Sequence, residues 1–430
     1  LTALPHRDAA PDPCSMPVPV AAPAVSPWSE RPWAVALAGL LALAVAMGVG
    51  RFAFTPLLPM MLHDKVVTIA QGSWLATANY IGYLVGALVC TAVPWLLPQL
   101  YRRWGPAPFA HAGLAATVVL TLAMALPIPA LWPTLRFLAG VASAFVLLNV
   151  AAWCMVRLAL QGRAAMGGLI FAGPGLGIVL SGLAASAMVA VQWRATAGWV
   201  VFGVLALLWY LPIWPVMRGL ANATGAAQPV SATAAPASAA APVLARALHG
   251  LGYGLAGLGY IVTATFLPVI ARMALEPGSP WPDLFWPIFG VGATFGVVLS
   301  TRSPEHWDRR WLLVACYAVQ ASGIIVGLLL PTVAGFAMGS LLLGLPFLAL
   351  VSYAMQVARR LWPEAADSFM SLITVVYGVG QIIGPPITAW LLAVHGQQRG
   401  FTLGLTFAAS ALVLGALIYA GSALRWRRMP

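Results

Sequence analysis

Charge is scarce in this sequence. Ionisable Asp, Glu, Lys and Arg make up 7% of 430 residues, while 61% are hydrophobic. A water-soluble domain carries about 25% charged residues, so too few are present here to cover a surface facing water. Lysine is almost missing: Lys65 stands alone. Without a Gly-x-x-x-x-Gly-Lys-Ser/Thr run the chain is no P-loop ATPase. No C-x-x-C pair links Cys14, Cys90, Cys154 and Cys316, which removes zinc ribbons and dithiol redox sites. His-Glu-x-x-His and Gly-x-Ser-x-Gly are also lacking, and with them the common hydrolase signatures. No selectivity-filter motif argues for a channel. We therefore expect no metal, no cofactor and no enzymatic activity.

Long unbroken apolar runs fill the chain instead. A bilayer core takes roughly 20 apolar residues per helix, and lipid leaves no partner for an open strand edge. The runs do not alternate as barrel strands would. We place spans at 33–61, 74–97, 107–127, 131–156, 164–190 and 195–217, then at 243–271, 284–301, 311–330, 334–357, 368–394 and 400–424. The expectation is an all-α polytopic membrane protein with twelve transmembrane helices in two pseudo-symmetric six-helix bundles, 33–217 and 243–424. Residues 1–32, rich in Pro and Ala, read as a disordered cytoplasmic tail, and the run that follows is too long for a signal peptide. Residues 218–242 read as a flexible cytoplasmic linker, and 425–430 as a basic cytoplasmic tail.

The net charge of +12 is a topology signal rather than a nucleic-acid signal, because the arginines come in ones, twos and threes between apolar runs. With the N-terminus inside, sixteen arginines fall on inner segments and four basic residues (Lys65, Arg194, Arg272, Arg399) on outer ones. That bias puts both termini in the cytoplasm of a bacterial inner membrane.

The halves look like copies. GVGRFAFTPLLP (48–59) parallels GLGYIVTATFLP (257–268), with Gly48 against Gly257, Gly50 against Gly259, Pro59 against Pro268 and Arg51 against Tyr260. AGPGLGIVLSG (172–182) and YGVGQIIGPP (377–386) are Gly/Pro-rich at corresponding places.

On these features the chain resembles the major facilitator superfamily. WPTLRFLAGVASA (132–144) is similar to its fourth-helix motif, with Arg136 and Gly140 at the motif positions. AGPGLG, with Gly173 and Pro174, is similar to its fifth-helix motif. GVGRFAFTPLLP with the late GPP (384–386) most resembles the YbfB/YjiJ branch. The resemblance implies alternating access, a role for Arg136 in substrate or proton coupling, and protons as a coupling ion. One departure concerns the loop between helices two and three. LPQLYRRWGP (97–106) keeps Arg102 and Arg103 but has no Asp, whereas RSPEHWDRR (302–310) keeps Asp308, Arg309 and Arg310.

An arginine inside a span costs a few kcal/mol or more and is by default a functional candidate. Arg51 is set to bind a carboxylate or phosphate, with Gly48 and Thr55 on the same helical face. The bland alternatives are that Arg51 snorkels to the outer interface or ties down carbonyls freed by Pro56 and Pro59. Arg136, five residues past Leu131, either assists Arg51 or snorkels to the outer interface. All ten acidic residues fall outside the expected spans, so a buried carboxylate relay is not expected. His111 and His249 remain as titratable groups near the inner ends of their spans, more often packed than catalytic. Tyr260, Tyr377, Gln381 and Asn149 are candidates to shape a pocket with Arg51, although interhelical hydrogen bonding alone accounts for such residues too. The sequence thus favours a secondary active transporter of a small solute, such as an organic anion. Alternatives are a multidrug-type efflux pump for hydrophobic compounds, and a receptor on a transporter-like scaffold.

Overall fold

A computed structural model describes residues 28–218, 242–304 and 306–426. The expected N-terminal tail (in all but its last few residues), the interior of the expected linker and the end of the basic tail lie outside the described residues.

Twelve apolar helices form the described chain. Eleven are long and apolar enough to cross a membrane. We number them α1 (Pro32–His63), α2 (Ile69–Pro94), α3 (Ala107–Ala123), α4 (Pro129–Leu160), α5 (Ala164–Ala190) and α6 (Ala195–Met217). The second half has α7 (Val243–Ala274), α8 (Trp281–Ser300), α9 (Arg309–Leu329), α10 (Val333–Leu361), α11 (Ser368–His395) and α12 (Gln397–Arg425). The shorter member is α3. Helix ends follow local chemistry. Thr68 and Gln71 cap α2 reciprocally, with Thr68 N donating to Gln71 Oε1 at 2.8 Å and Gln71 N to Thr68 Oγ1 at 3.2 Å. Asp64 accepts from Ala195 N at 2.7 Å and so binds the α1–α2 turn to the start of α6. Helices α9 and α10 are separated by a short break between Leu329 and Val333, where Thr332 caps the next helix.

Glycines set how closely helices approach, and the two halves use them alike. A Cβ on Gly48 of α1 would fall 2.4 Å from Gly177 Cα of α5; one on Gly257 of α7 would fall 2.2 Å from Tyr377 O of α11. Lipid tails are as apolar as leucine, so helices here associate through such close packing rather than through water exclusion. The halves meet through α2 against α11, α5 against α8, and α1 against α7.

The main departure from regularity is in α1. Its first part, Pro32–Leu43, is α-helical; Ala44–Phe52 is π-helical; Phe54–His63 is α-helical again. Its counterpart α7 runs as an uninterrupted α-helix from Val243 to Ala274. Helix α11 likewise passes through Pro385 and Pro386 without a break. The Gly173–Pro174 motif sits where a tight 3-10 stretch, Ala164–Ala172, gives way to α-helix, with Pro174 in the first turn, where its missing N–H leaves no bond unmade.

Two sequence expectations need correction. Asp283 lies in the first turn of α8, 3% exposed, and forms an ion pair with Arg272 of α7. A carboxylate is therefore buried at the rim of the bundle, where the expected span began three residues too late. Gly48, Arg51 and Thr55 do not share a face. The wider π turn directs Gly48 at α5, while Thr55 Oγ1 donates to Ala264 O of α7 at 2.8 Å.

Candidate functional site: a buried guanidinium between the halves

Arg51 is 3% exposed and lies in the π-helical stretch of α1. Short π segments often accompany functional sites because they re-aim side chains. Here the guanidinium crosses from the first half to the second. Its Nη2 donates to Gln381 Oε1 of α11, and Gln381 Nε2 donates to Tyr260 OH of α7 at 2.6 Å. The Tyr83 ring lies 4.0 Å from the guanidinium carbon, and the rings of Tyr80 and Phe52 lie 5.2 and 5.5 Å away. Ring faces stabilise a desolvated cation, by about 2 kcal/mol in favourable cases. They do not satisfy its protons. Arg51 Nε and Nη1 are buried and have no hydrogen-bond partner.

Aromatic rings continue on the second-half side. Tyr253, Tyr377 and Tyr260 form a stack, with centroids 4.5 Å apart for the first pair and 6.1 Å for the second. Phe347 of α10 packs on Tyr260 at 4.7 Å. Tyr80 and Thr265 share a hydrogen bond of 3.0 Å between α2 and α7. The structure thus brings Arg51, Tyr260, Tyr377 and Gln381 together and leaves Thr55 close by as a tie between halves.

Arg136 has another environment. Its Nη1 donates to Gly50 O at 3.3 Å and its Nη2 to Arg51 O at 3.1 Å. It is 2% exposed and also lies 4.8 Å from the Phe54 ring. The reason is in the α1 sequence. In a π-helical pattern the donor for the Arg51 carbonyl would be residue 56, which is Pro56 and has no N–H. Arg136 supplies the missing donor. The expected snorkelling to the interface does not occur. The carbonyl-tying job weighed for Arg51 belongs to Arg136. Gly140, one turn further along α4, permits the close approach of α2: a Cβ there would meet Asn79 O at 2.0 Å. Gly50 faces Thr117 and Ser143.

Asn149 does not join the site. Its Nδ2 donates to Phe145 O at 2.8 Å and to Cys90 Sγ at 3.1 Å, thirteen residues along α4 from Arg136. His249 is a packed histidine, held by Ala354 O at 3.1 Å and Tyr419 OH at 3.0 Å. In the loop before α9, Asp308 pairs with Arg310 at 2.8 Å, while Arg309 turns to Ser303 Oγ and Pro304 O. Arg103 lies in the short helix Pro98–Trp104 with Arg102, whose side chain falls outside the described residues.

The sequence reading missed Tyr80, Thr265, Phe52 and Phe347. Tyr80 carried a signal: it is a tyrosine well inside a span, three residues before Tyr83. The two phenylalanines carried none, since apolar residues in a span look the same wherever they point.

Comparison with known proteins agrees with this architecture. The nucleoside transporter NupG, solved in a mutant form, superposes with a TM-score of 0.68 at 12% identity, covering 90% of this chain and 98% of that one. A chloramphenicol resistance protein of Streptomyces lividans is 28% identical over 405 residues, spanning 89% of this chain and 94% of its own length. The family model described as "Uncharacterised MFS-type transporter YbfB" matches residues 43–420. The chain belongs to this YbfB-type family of major facilitator superfamily transporters.

Proposed function

We propose that this protein is a secondary active transporter that carries a small organic anion across the inner membrane by alternating access, with Arg51 holding the anionic group. One observation carries the reading. Arg51 is a buried cation that has no acidic partner among the described residues, and its Nε and Nη1 protons are unmatched. Leaving a buried charge unpaired is costly, and a carboxylate taking over from Gln381 gains two parallel charge-assisted bonds. The site's position also supports the reading. Arg51 belongs to the first half, Gln381 and Tyr260 to the second, so the ligand would touch both bodies that rock. The arginine bias toward one side supports cytoplasmic termini.

Counterflow in proteoliposomes tests this. Organic monoanions should exchange through the wild type and fail to do so through Arg51→Gln. Equal exchange by both proteins would remove Arg51 from the binding site. A pH jump imposed on the same vesicles checks protons as the coupling ion: an inward proton gradient should drive anion accumulation above equilibrium.

A second reading, efflux of hydrophobic compounds, is favoured by the relative from Streptomyces lividans, whose name records chloramphenicol resistance. Cells producing the protein would then tolerate chloramphenicol at higher concentration. The tolerance would survive Arg51→Gln if a neutral drug needs no cation.

A further inference from the structure

The anion reading leaves open what kind of anion fits, and the walls of the site bear on that. Resting on that reading, we propose that the substrate is an aromatic monocarboxylate, its carboxylate on Arg51 and its ring against the tyrosines of α2, α7 and α11.

Two independent features narrow the choice. The first is the number of free cations. Arg136 is adjacent to Arg51, but its two Nη groups are committed to the carbonyls of Gly50 and Arg51. Withdrawing it would orphan at least the Arg51 carbonyl, whose backbone donor in the π pattern is replaced by Pro56, at a cost of about 1–3 kcal/mol. Arg51 is thus the less committed of the two, with Nε and Nη1 unmatched and Nη2 on a neutral amide, whereas Arg136 has only its Nε unmatched. A dicarboxylate or a doubly charged phosphate ester would bring a second negative group with at most the Nε–H of Arg136 left to receive it. A monoanion balances the site.

The second feature is the shape of the opposing wall. Tyr253, Tyr377 and Tyr260 lie nearly parallel, with interplanar angles of 21° and 14°. Aliphatic cargo needs no such arrangement; leucines would line the wall as well. Parallel ring faces favour another flat ring by about 0.5–1.5 kcal/mol beyond its buried area. Among these aromatic residues Tyr83 is only partly buried, and it covers the guanidinium on the α2 side, close to where Gly378 of α11 meets Leu84. Tyr83 can keep its face on the guanidinium while a ligand carboxylate accepts from the guanidinium edge and its attached ring extends toward the tyrosines.

Binding to purified full-length protein in lipid nanodiscs is the test, with tritiated benzoate as probe. The competitors are unlabelled benzoate, cyclohexanecarboxylate, succinate and benzamide. Cyclohexanecarboxylate has the size and charge of benzoate but no π face. Benzoate should compete at about fivefold lower concentration or better, and Tyr377→Leu should erase that gap while Tyr377→Phe keeps it. Benzamide should be weaker than benzoate by about tenfold or more, because its hydrogen bonds are not charge-assisted. Succinate should be weaker than benzoate. Equal competition by benzoate and cyclohexanecarboxylate, with binding still lost in Arg51→Gln, would overturn the aromatic assignment and leave the anion site standing. Succinate binding better than benzoate would overturn the single-charge argument. Absent benzoate binding would overturn the aromatic assignment and leave the anion reading to the counterflow test, whereas benzoate binding unchanged in Arg51→Gln would sink both.

Discussion

Helices α1 and α7 occupy equivalent places in two copies of one six-helix unit, yet they solve the core differently. In α7 the chain is an unbroken α-helix and offers Tyr260, a neutral group whose hydroxyl accepts from Gln381. In α1 the same register carries Arg51, and the helix widens into a π segment around it. The pseudo-equivalent residues meet through one amide, with Gln381 accepting from Arg51 and donating to Tyr260. The two halves share a frame, and the different residues at one position, Arg51 and Tyr260, make one side cationic and the other aromatic. The irregularity follows the charge, and it needs a helper, since Arg136 satisfies the carbonyls that the widened turn exposes.

The contrast between Arg51 and Arg136 should therefore break along function and stability. Both are nearly fully buried, but only Arg136 is tied to backbone. Arg136→Met should cost about 3–5 kcal/mol, the range for removing one partner of a buried charged interaction, and lower the melting temperature in detergent sharply. Arg51→Met removes an incompletely paired cation and should be neutral or stabilising. If Arg51→Met melts as low as Arg136→Met, the division of labour between the two arginines is wrong.

The next comparison is between the glycine seams of the halves. Gly48 and Gly257 stand at matching positions, and each meets backbone within 2.4 Å of where a Cβ would lie. Gly48→Ala and Gly257→Ala should each cost about 1–3 kcal/mol through forced helix separation. Thermal melts of both variants check it. A large loss in one half only would show that the duplication is not mechanically symmetric.

Much of the frame was legible before any coordinates. Helix number and the two-bundle frame follow from apolar run length, which is a local property of sequence. Arg51, Tyr260, Tyr377 and Gln381 were legible because a polar group in a span has few places to go. What failed depended on backbone geometry. Asn149 reads like a site residue, but position along α4 puts it with Cys90. Arg136 looks like a second substrate arginine until the π segment and Pro56 are seen to leave carbonyls for it. No periodicity announces a π turn, so the face shared by Gly48, Arg51 and Thr55 was drawn with the wrong pitch.

Gln381→Glu sharpens the α1–α7 comparison directly. The carboxylate would give Arg51 the partner that a substrate is proposed to supply. Anion binding should weaken by about tenfold or more, as for a lost charge-assisted pair, while the melting temperature holds or rises. Nanodisc binding and a thermal melt on the same preparation read both effects. Unaltered anion binding would mean that the ligand does not compete with residue 381 for Arg51.

The smallest effect concerns the loops rather than the core, where the halves also differ. The segment before α9 has Asp308, which caps the helix and pairs with Arg310; the corresponding first-half loop has no acid. Burial raises the Asp308 pKa, but the hydrogen bonds and charge of Arg310 outweigh it, so the carboxyl is held below its ordinary value. A carboxyl depressed on folding stabilises the native state above its unfolded pKa of about 3.9. That stabilisation is lost as pH falls through the folded value. Asp308→Asn should therefore lower the melting temperature modestly at pH 7, and the gap from wild type should close below about pH 4. Asp308 is about a third exposed, so solvent screens the pair and keeps the effect small. A gap that persists at pH 3 would assign the contribution of Asp308 to shape rather than to charge.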